Sequence, residues 1–92
     1  MKFEWDLRKA DQNLKKHKVS FEDASTVFFD DLAKITFDPD HSEDEHRQIL
    51  IGHSYDKKLL FVVHIAYEEK NVIRIISARK ATKKERHDFE NL

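Results

Sequence analysis

Leu59-Leu60-Phe61-Val62-Val63-His64-Ile65-Ala66-Tyr67 is the stretch on which the fold turns. A run this continuously apolar reads as a central strand covered on both faces. Turns flank it, at Tyr55–Lys58 before and Glu68–Asn71 after. Beyond the first turn, Arg47–Ser54 reads as a strand with Ile49 and Ile51 on one face, and beyond the second Val72–Ala78 reads as another. Further upstream, Ala33, Ile35 and Phe37 alternate with Lys34 and Thr36, a strand with one wet face that Asp38-Pro39-Asp40 must end, because proline lacks a ladder donor. Four consecutive strands joined by short connections predict an antiparallel meander.

Helical spacing brackets the meander. Asp6 is a good N-cap, and Leu7, Ala10 and Leu14 follow at helical intervals up to about His17. Ser20, with Asp23 in the third position, caps a second helix, and Val19 and Ala24 stand where a hydrophobic staple would sit. Ala24, Val27 and Phe28 form its expected buried face before Asp30-Asp31 closes it. Thr82-Lys83-Lys84-Glu85 is a capping box opening a last helix from about Lys83 to Asn91. Phe3 and Trp5 alternate with polar residues as a short extended lead-in. The expected architecture is therefore α+β, with two N-terminal helices, a four-stranded antiparallel meander and a C-terminal helix. All helices are expected on one face of the sheet.

The 92 residues, 39% hydrophobic and 38% charged, allow one domain over 1–92 with one modest core. Ten aromatic side chains help to fill it. No apolar stretch approaches a membrane span, and the N-terminus lacks an apolar signal core, so a cytoplasmic protein away from membranes is expected. Zero cysteines exclude a disulfide framework, a thiolate metal site and a cysteine nucleophile. Net charge is only −1, but residues 19–45 carry −8 and residues 70–87 carry +6. Such asymmetry points either to a charged partner or to mutual neutralisation of the two segments.

Arg74 lies among Val72, Ile73, Ile75 and Ile76, and arginine is rarely buried without a partner. Either its guanidinium is held rigid to grip an anion such as phosphate, or an acid across the sheet pairs with it. Arg79, Lys80, Lys83, Lys84 and Arg86 extend the positive charge into the start of the last helix, whose free amides also favour anions. A solvated helix face is the simpler reading of Lys83 and Lys84. His64 in the central strand is a candidate acid or base if neighbouring strands bring it near Arg74, and otherwise a buried neutral histidine; His53 carries the same two readings. The stretch Asp38–His46 is acidic, but Glu43 occupies the position where a calcium loop needs glycine, and His41 and His46 lack a zinc-like partner pair. A solvated loop is expected there, and no metal or cofactor.

Phe3-Glu4-Trp5-Asp6, then Asn13-Leu14-Lys15-Lys16-His17-Lys18-Val19-Ser20-Phe21-Glu22-Asp23-Ala24, resembles the opening of the BrnT-type toxins. Glu45, Arg47 and Ile51-Gly52 resemble that family's middle, and Arg74-Ile75-Ile76-Ser77-Ala78-Arg79-Lys80-Ala81-Thr82 with Glu85-Arg86 its end. The resemblance implies a RelE-like ribonuclease fold and a type II toxin that blocks translation by cutting RNA. It also implies a cognate ribbon-helix-helix antitoxin, with operator DNA contacted only through that antitoxin. The family's C-terminal arginines correspond to Arg74 and Arg79. Phe89 replaces a common tyrosine, and Lys18 stands where a glycine is usual.

Metal-independent cleavage by the ribose 2′-hydroxyl is the mechanism expected from these parts. Arg74 and Arg79 would stabilise charge on phosphoryl oxygens, with Glu45, His46 or His64 moving protons. Arg47, Lys80 and Lys83 would contact the substrate backbone. The alternative is a non-catalytic basic module that binds an antitoxin or a nucleic acid backbone.

Overall fold

A computed structural model describes residues 1–37 and 47–91. The Asp6 carboxylate accepts from Lys9 N at 3.0 Å and starts α1, Leu7–His17. That helix ends at Lys18, whose φ of 61° is left-handed, the conformation in which glycine is usual. Ser20 Oγ accepts from Asp23 N and starts α2, Phe21–Thr26, which tightens into a 3₁₀ turn over Val27–Phe29. The strands are β1 Lys2–Glu4, β2 Lys34–Phe37, β3 Arg47–His53, β4 Leu59–Tyr67 and β5 Val72–Lys80. A 3₁₀ turn over Glu68–Lys70 joins β4 to β5, and α3 spans Lys83–Glu90 behind its capping box. No described helix is long and apolar enough to cross a membrane.

The sheet has five strands in the order β1-β5-β4-β3-β2, and it is mixed. The expected four antiparallel strands form β2 to β5, but the lead-in around Phe3 is itself a strand that pairs parallel with β5, with Phe3 opposite Ile73. Burial of Phe3 against Phe28, ring centroids 5.3 Å apart, supplies the reason.

One face of the sheet, here the inner face, packs against α1 and α2. Its core joins Val19, Phe21, Ala24 and Val27 to Leu50, Leu60, Val62, Ile75 and Ala78. Trp5 closes on Phe21 at 5.9 Å. Gly52 lies where the 3₁₀ turn crosses β3: a Cβ there would meet Ala33 Cβ at 2.6 Å and Val27 Cγ1 at 3.0 Å. Buried Asn13 on α1 donates to Val19 O and Ala78 O and accepts from Ala78 N. β1 pairs with β5 only over Val72–Arg74, so farther along the edge the Asn13 amide takes the place of a neighbouring strand.

The third helix corrects the expectation that all helices share one face. Lys34, His53 and Arg79 alternate with the inner-face residues of their strands and therefore project from the outer face. α3 touches all three, crossing from β5 towards β2 on that side.

Candidate functional site

Strict alternation along β5 would put Arg74 and Arg79 on opposite faces, because they stand five positions apart, an odd offset. The register jumps instead. His64 pairs with Ile75 and Val63 with Ser77, so Ile76 is the extra residue of a β-bulge. Ile73, Ile75 and Ala78 face the inner core, and both arginines reach the outer face.

Two rows of outer-face residues result. Glu4, Arg74, Ile65 and Arg47 are successive partners across β1, β5, β4 and β3. Arg79, Phe61, Ile51 and Lys34 are successive partners across β5, β4, β3 and β2. The basic side chains of the first row flank Ile65, and those of the second stand at its two ends.

Of the two alternatives for Arg74, the structure gives the pairing with an acid, and it does so at Arg79 as well. Arg74 Nη1 donates to Glu4 Oε2 at 2.8 Å, with the two side chains 35% and 48% exposed. This contact uses one guanidinium nitrogen and stays open to solvent, so it is weak and exchangeable. Arg79 is held more firmly. Its Nη1 and Nη2 donate to the two Glu85 carboxylate oxygens at 2.7 and 2.9 Å, and its guanidinium carbon lies 4.0 Å from the Phe61 ring centroid. The Arg79 fork holds the Glu85 carboxyl below the usual carboxylate range, and Glu85 in turn raises the Arg79 guanidinium. Glu85 also accepts from Thr82 N at 2.8 Å, so one carboxylate serves the capping box and the arginine together.

His64 faces the other way. It is 1% exposed on the inner face, its ring edge-on to Phe28 at 4.8 Å and its Nε2 3.1 Å from Gln48 Oε1. Burial lowers its pKa and favours the neutral ring. Of the two readings of His64, the structure gives the buried neutral histidine: it and Arg74 project from opposite faces, which removes it as an acid or base beside Arg74. Arg47 begins β3 on the arginine face. Lys80 is exposed at the end of β5, paired with inner-face Leu60 and so turned away from Arg79. Lys83 is exposed on the first turn of α3. Glu45 and His46, and the acidic stretch weighed as a metal loop, lie outside the described residues.

Sequence reasoning attached no chemistry to Lys34 or Phe89, and it left His53 without neighbours. Lys34 Nζ donates to Phe89 O at 2.8 Å and lies 4.8 Å from the Phe89 ring centroid, and that ring meets His53 edge-on at 5.8 Å. Alternation in β2 and β3 carries the signal for the shared face, but not for the helix that covers it. A cleft of about 420 Å³ between Thr26, Phe29, Asp30, His53, Ser54 and Tyr55 opens beside this region and contains neither arginine. There His53 N donates to Asp30 Oδ2 at 2.8 Å, which holds the Asp30 carboxyl below its ordinary value.

No curated protein matches the chain. Its fold is similar to that of the Brucella abortus ribonuclease toxin BrnT, with a TM-score of 0.69 and 24% identity over 90% of this chain and 99% of that one. The family described as the ribonuclease toxin, BrnT, of type II toxin-antitoxin systems matches residues 5–85. Because that match covers most of the chain, including α1, α2 and strands β2 to β5, the chain belongs to the BrnT family of ribonuclease toxins of type II toxin-antitoxin systems.

Proposed function

We propose that the chain is a metal-independent endoribonuclease that inhibits translation, with the outer sheet face as its RNA-binding surface. The bulge at Ile76 carries the reading, because it turns two arginines of one strand to the same side. The ribose 2′-hydroxyl attacks the adjacent phosphorus and the 5′-oxygen leaves, giving a 2′,3′-cyclic phosphate. Arg74, with its fork only partly engaged by Glu4, stabilises the charge gathering on the phosphoryl oxygens. Arg47 holds the strand from the same row. Arg79 joins once Glu85 lets go. Glu45 and His46, which immediately precede Arg47 in the chain, supply the base and the acid. The protein that neutralises the toxin is a ribbon-helix-helix antitoxin.

One observation favours the second reading, a non-catalytic basic module: both arginines already have carboxylate partners. A single experiment separates the two. Purified protein is incubated with single-stranded RNA in EDTA, and the product ends are mapped. Cleavage to 2′,3′-cyclic phosphates that Arg74→Ala removes supports the ribonuclease. Binding that weakens steeply with salt and leaves the RNA intact supports the module.

A further inference from the structure

We propose that the strip of outer face beneath α3, formed by Arg79, Phe61, Lys34 and His53, is a second RNA-binding subsite that α3 itself occupies in the free protein. The inference rests on the ribonuclease reading and extends it to regulation of the same face.

Three observations carry it. First, α3 has no buried residue, and an eight-residue helix has little stability of its own, so its docking depends on what it touches. Second, its contacts with the strip are of the kinds that RNA supplies. The Glu85 carboxylate fills the Arg79 fork as a phosphate would, the Phe89 carbonyl accepts from Lys34 as a phosphate or base oxygen would, and the Phe89 ring packs on His53 where a base could stack. Third, Glu85 is the single acid among residues 70–87, and it lies against the arginine that the sheet presents on this face. Phe61 offers an aromatic face that already carries a guanidinium. The strip spans three strand spacings, roughly 14 Å, room for a short extended strand of nucleotides.

RNA and α3 therefore compete for one surface. Affinity is read by fluorescence anisotropy with a labelled single-stranded 2′-O-methyl RNA of about 12 nucleotides, which binds without being cut. Glu85→Gln keeps an N3 side chain able to complete the capping box but removes the competing charge. It should tighten binding about tenfold, the worth of one charge-assisted hydrogen bond. Phe89→Ala, which loosens the far end of α3, should tighten it in the same direction. Lys34→Ala and His53→Ala should weaken binding more in the Glu85→Gln background than in the unaltered chain. In the unaltered chain, saturating RNA should speed amide exchange across 83–90. Unchanged or weaker binding by both Glu85→Gln and Phe89→Ala, or exchange in α3 that RNA leaves untouched, overturns the inference. If RNA is bound and cut through Arg74 with no response to Glu85 or Lys34, the second subsite falls and with it the part given to Arg79, while the ribonuclease reading stands on Arg74. If no variant binds RNA, the ribonuclease reading falls first.

Discussion

Arg74 and Arg79 project from the same face of β5 although strict alternation would separate them, because Ile76 bulges out of the ladder between them. Their fates on that face differ. Arg74 shares one exposed contact with Glu4, whereas Arg79 is forked onto Glu85 and laid over Phe61. One makes a single contact open to solvent, and the other also holds a helix in place.

That difference sets the outcome of two substitutions. Arg74→Ala should reduce RNA cleavage at least about 100-fold, the scale of losing one charge-stabilising donor. Its unfolding free energy should move by less than about 1 kcal/mol, as for an exposed pair. Arg79→Ala should also lower activity, but with faster amide exchange across 83–90, since the bidentate anchor of α3 is gone. Urea unfolding and hydrogen exchange on both variants check this.

Gly52 tests the packing of the 3₁₀ turn on β3. With Ala33 Cβ only 2.6 Å from where a Cβ would be, Gly52→Ala forces two backbone segments apart. Overpacking of this kind costs about 1–3 kcal/mol, to be read as a lower urea midpoint with an unchanged slope.

Asn13 closes the open edge of β5 beside the bulge. Asn13→Ala leaves Ala78 N and O and Val19 O without the side chain that meets them, in a region buried from water. A loss of about 2–4 kcal/mol is expected from unmet buried groups. Asn13→Asp should be similarly damaging, because a carboxylate cannot donate to the two carbonyls. Thermal unfolding of both variants decides it.

His64 makes stability depend on pH in a definite direction. Burial lowers its folded-state pKa below the ordinary value of about 6.5, so the unfolded chain binds its proton first as pH falls. The contribution is fully present above about pH 6.5 and is lost as pH drops through the folded-state value, with a slope of at most ~1.4 kcal/mol per pH unit. Asp30 and Glu85, whose pKa values are lowered, act at more acidic pH, below the ordinary carboxylate range. Urea unfolding from pH 7.5 down to about pH 5 should therefore show a fall that His64→Gln largely removes.

Much of the local structure was legible in the chain. The apolar run ending at Tyr67, the caps at Asp6, Ser20 and Thr82, and the alternation at Ile35 and Phe37 correspond to observed elements. Each is a signal written within a few residues, because a cap or a period needs only its neighbours. The resemblance to the toxins likewise marked Arg74 and Arg79. Their arrangement was less accessible. Alternation alone would set Ser77 and Arg79 opposite Arg74, whereas the bulge turns both to its side, and nothing in the order of residues marked that Phe28 seals His64 on the inner face.

What the linear order of residues determined by itself was which segments become helix or strand, since hydrogen-bonding propensity, capping and hydrophobic period act locally. Tertiary structure alone decided the rest. It added Lys2–Glu4 to the sheet as a parallel edge beside Val72–Arg74, laid α3 on the outer face, and supplied Glu4 and Glu85 as the carboxylates that meet the arginines. Each depends on which surfaces of a folded chain come together, and burial and charge pairing between distant residues leave no periodic trace in the order of the residues.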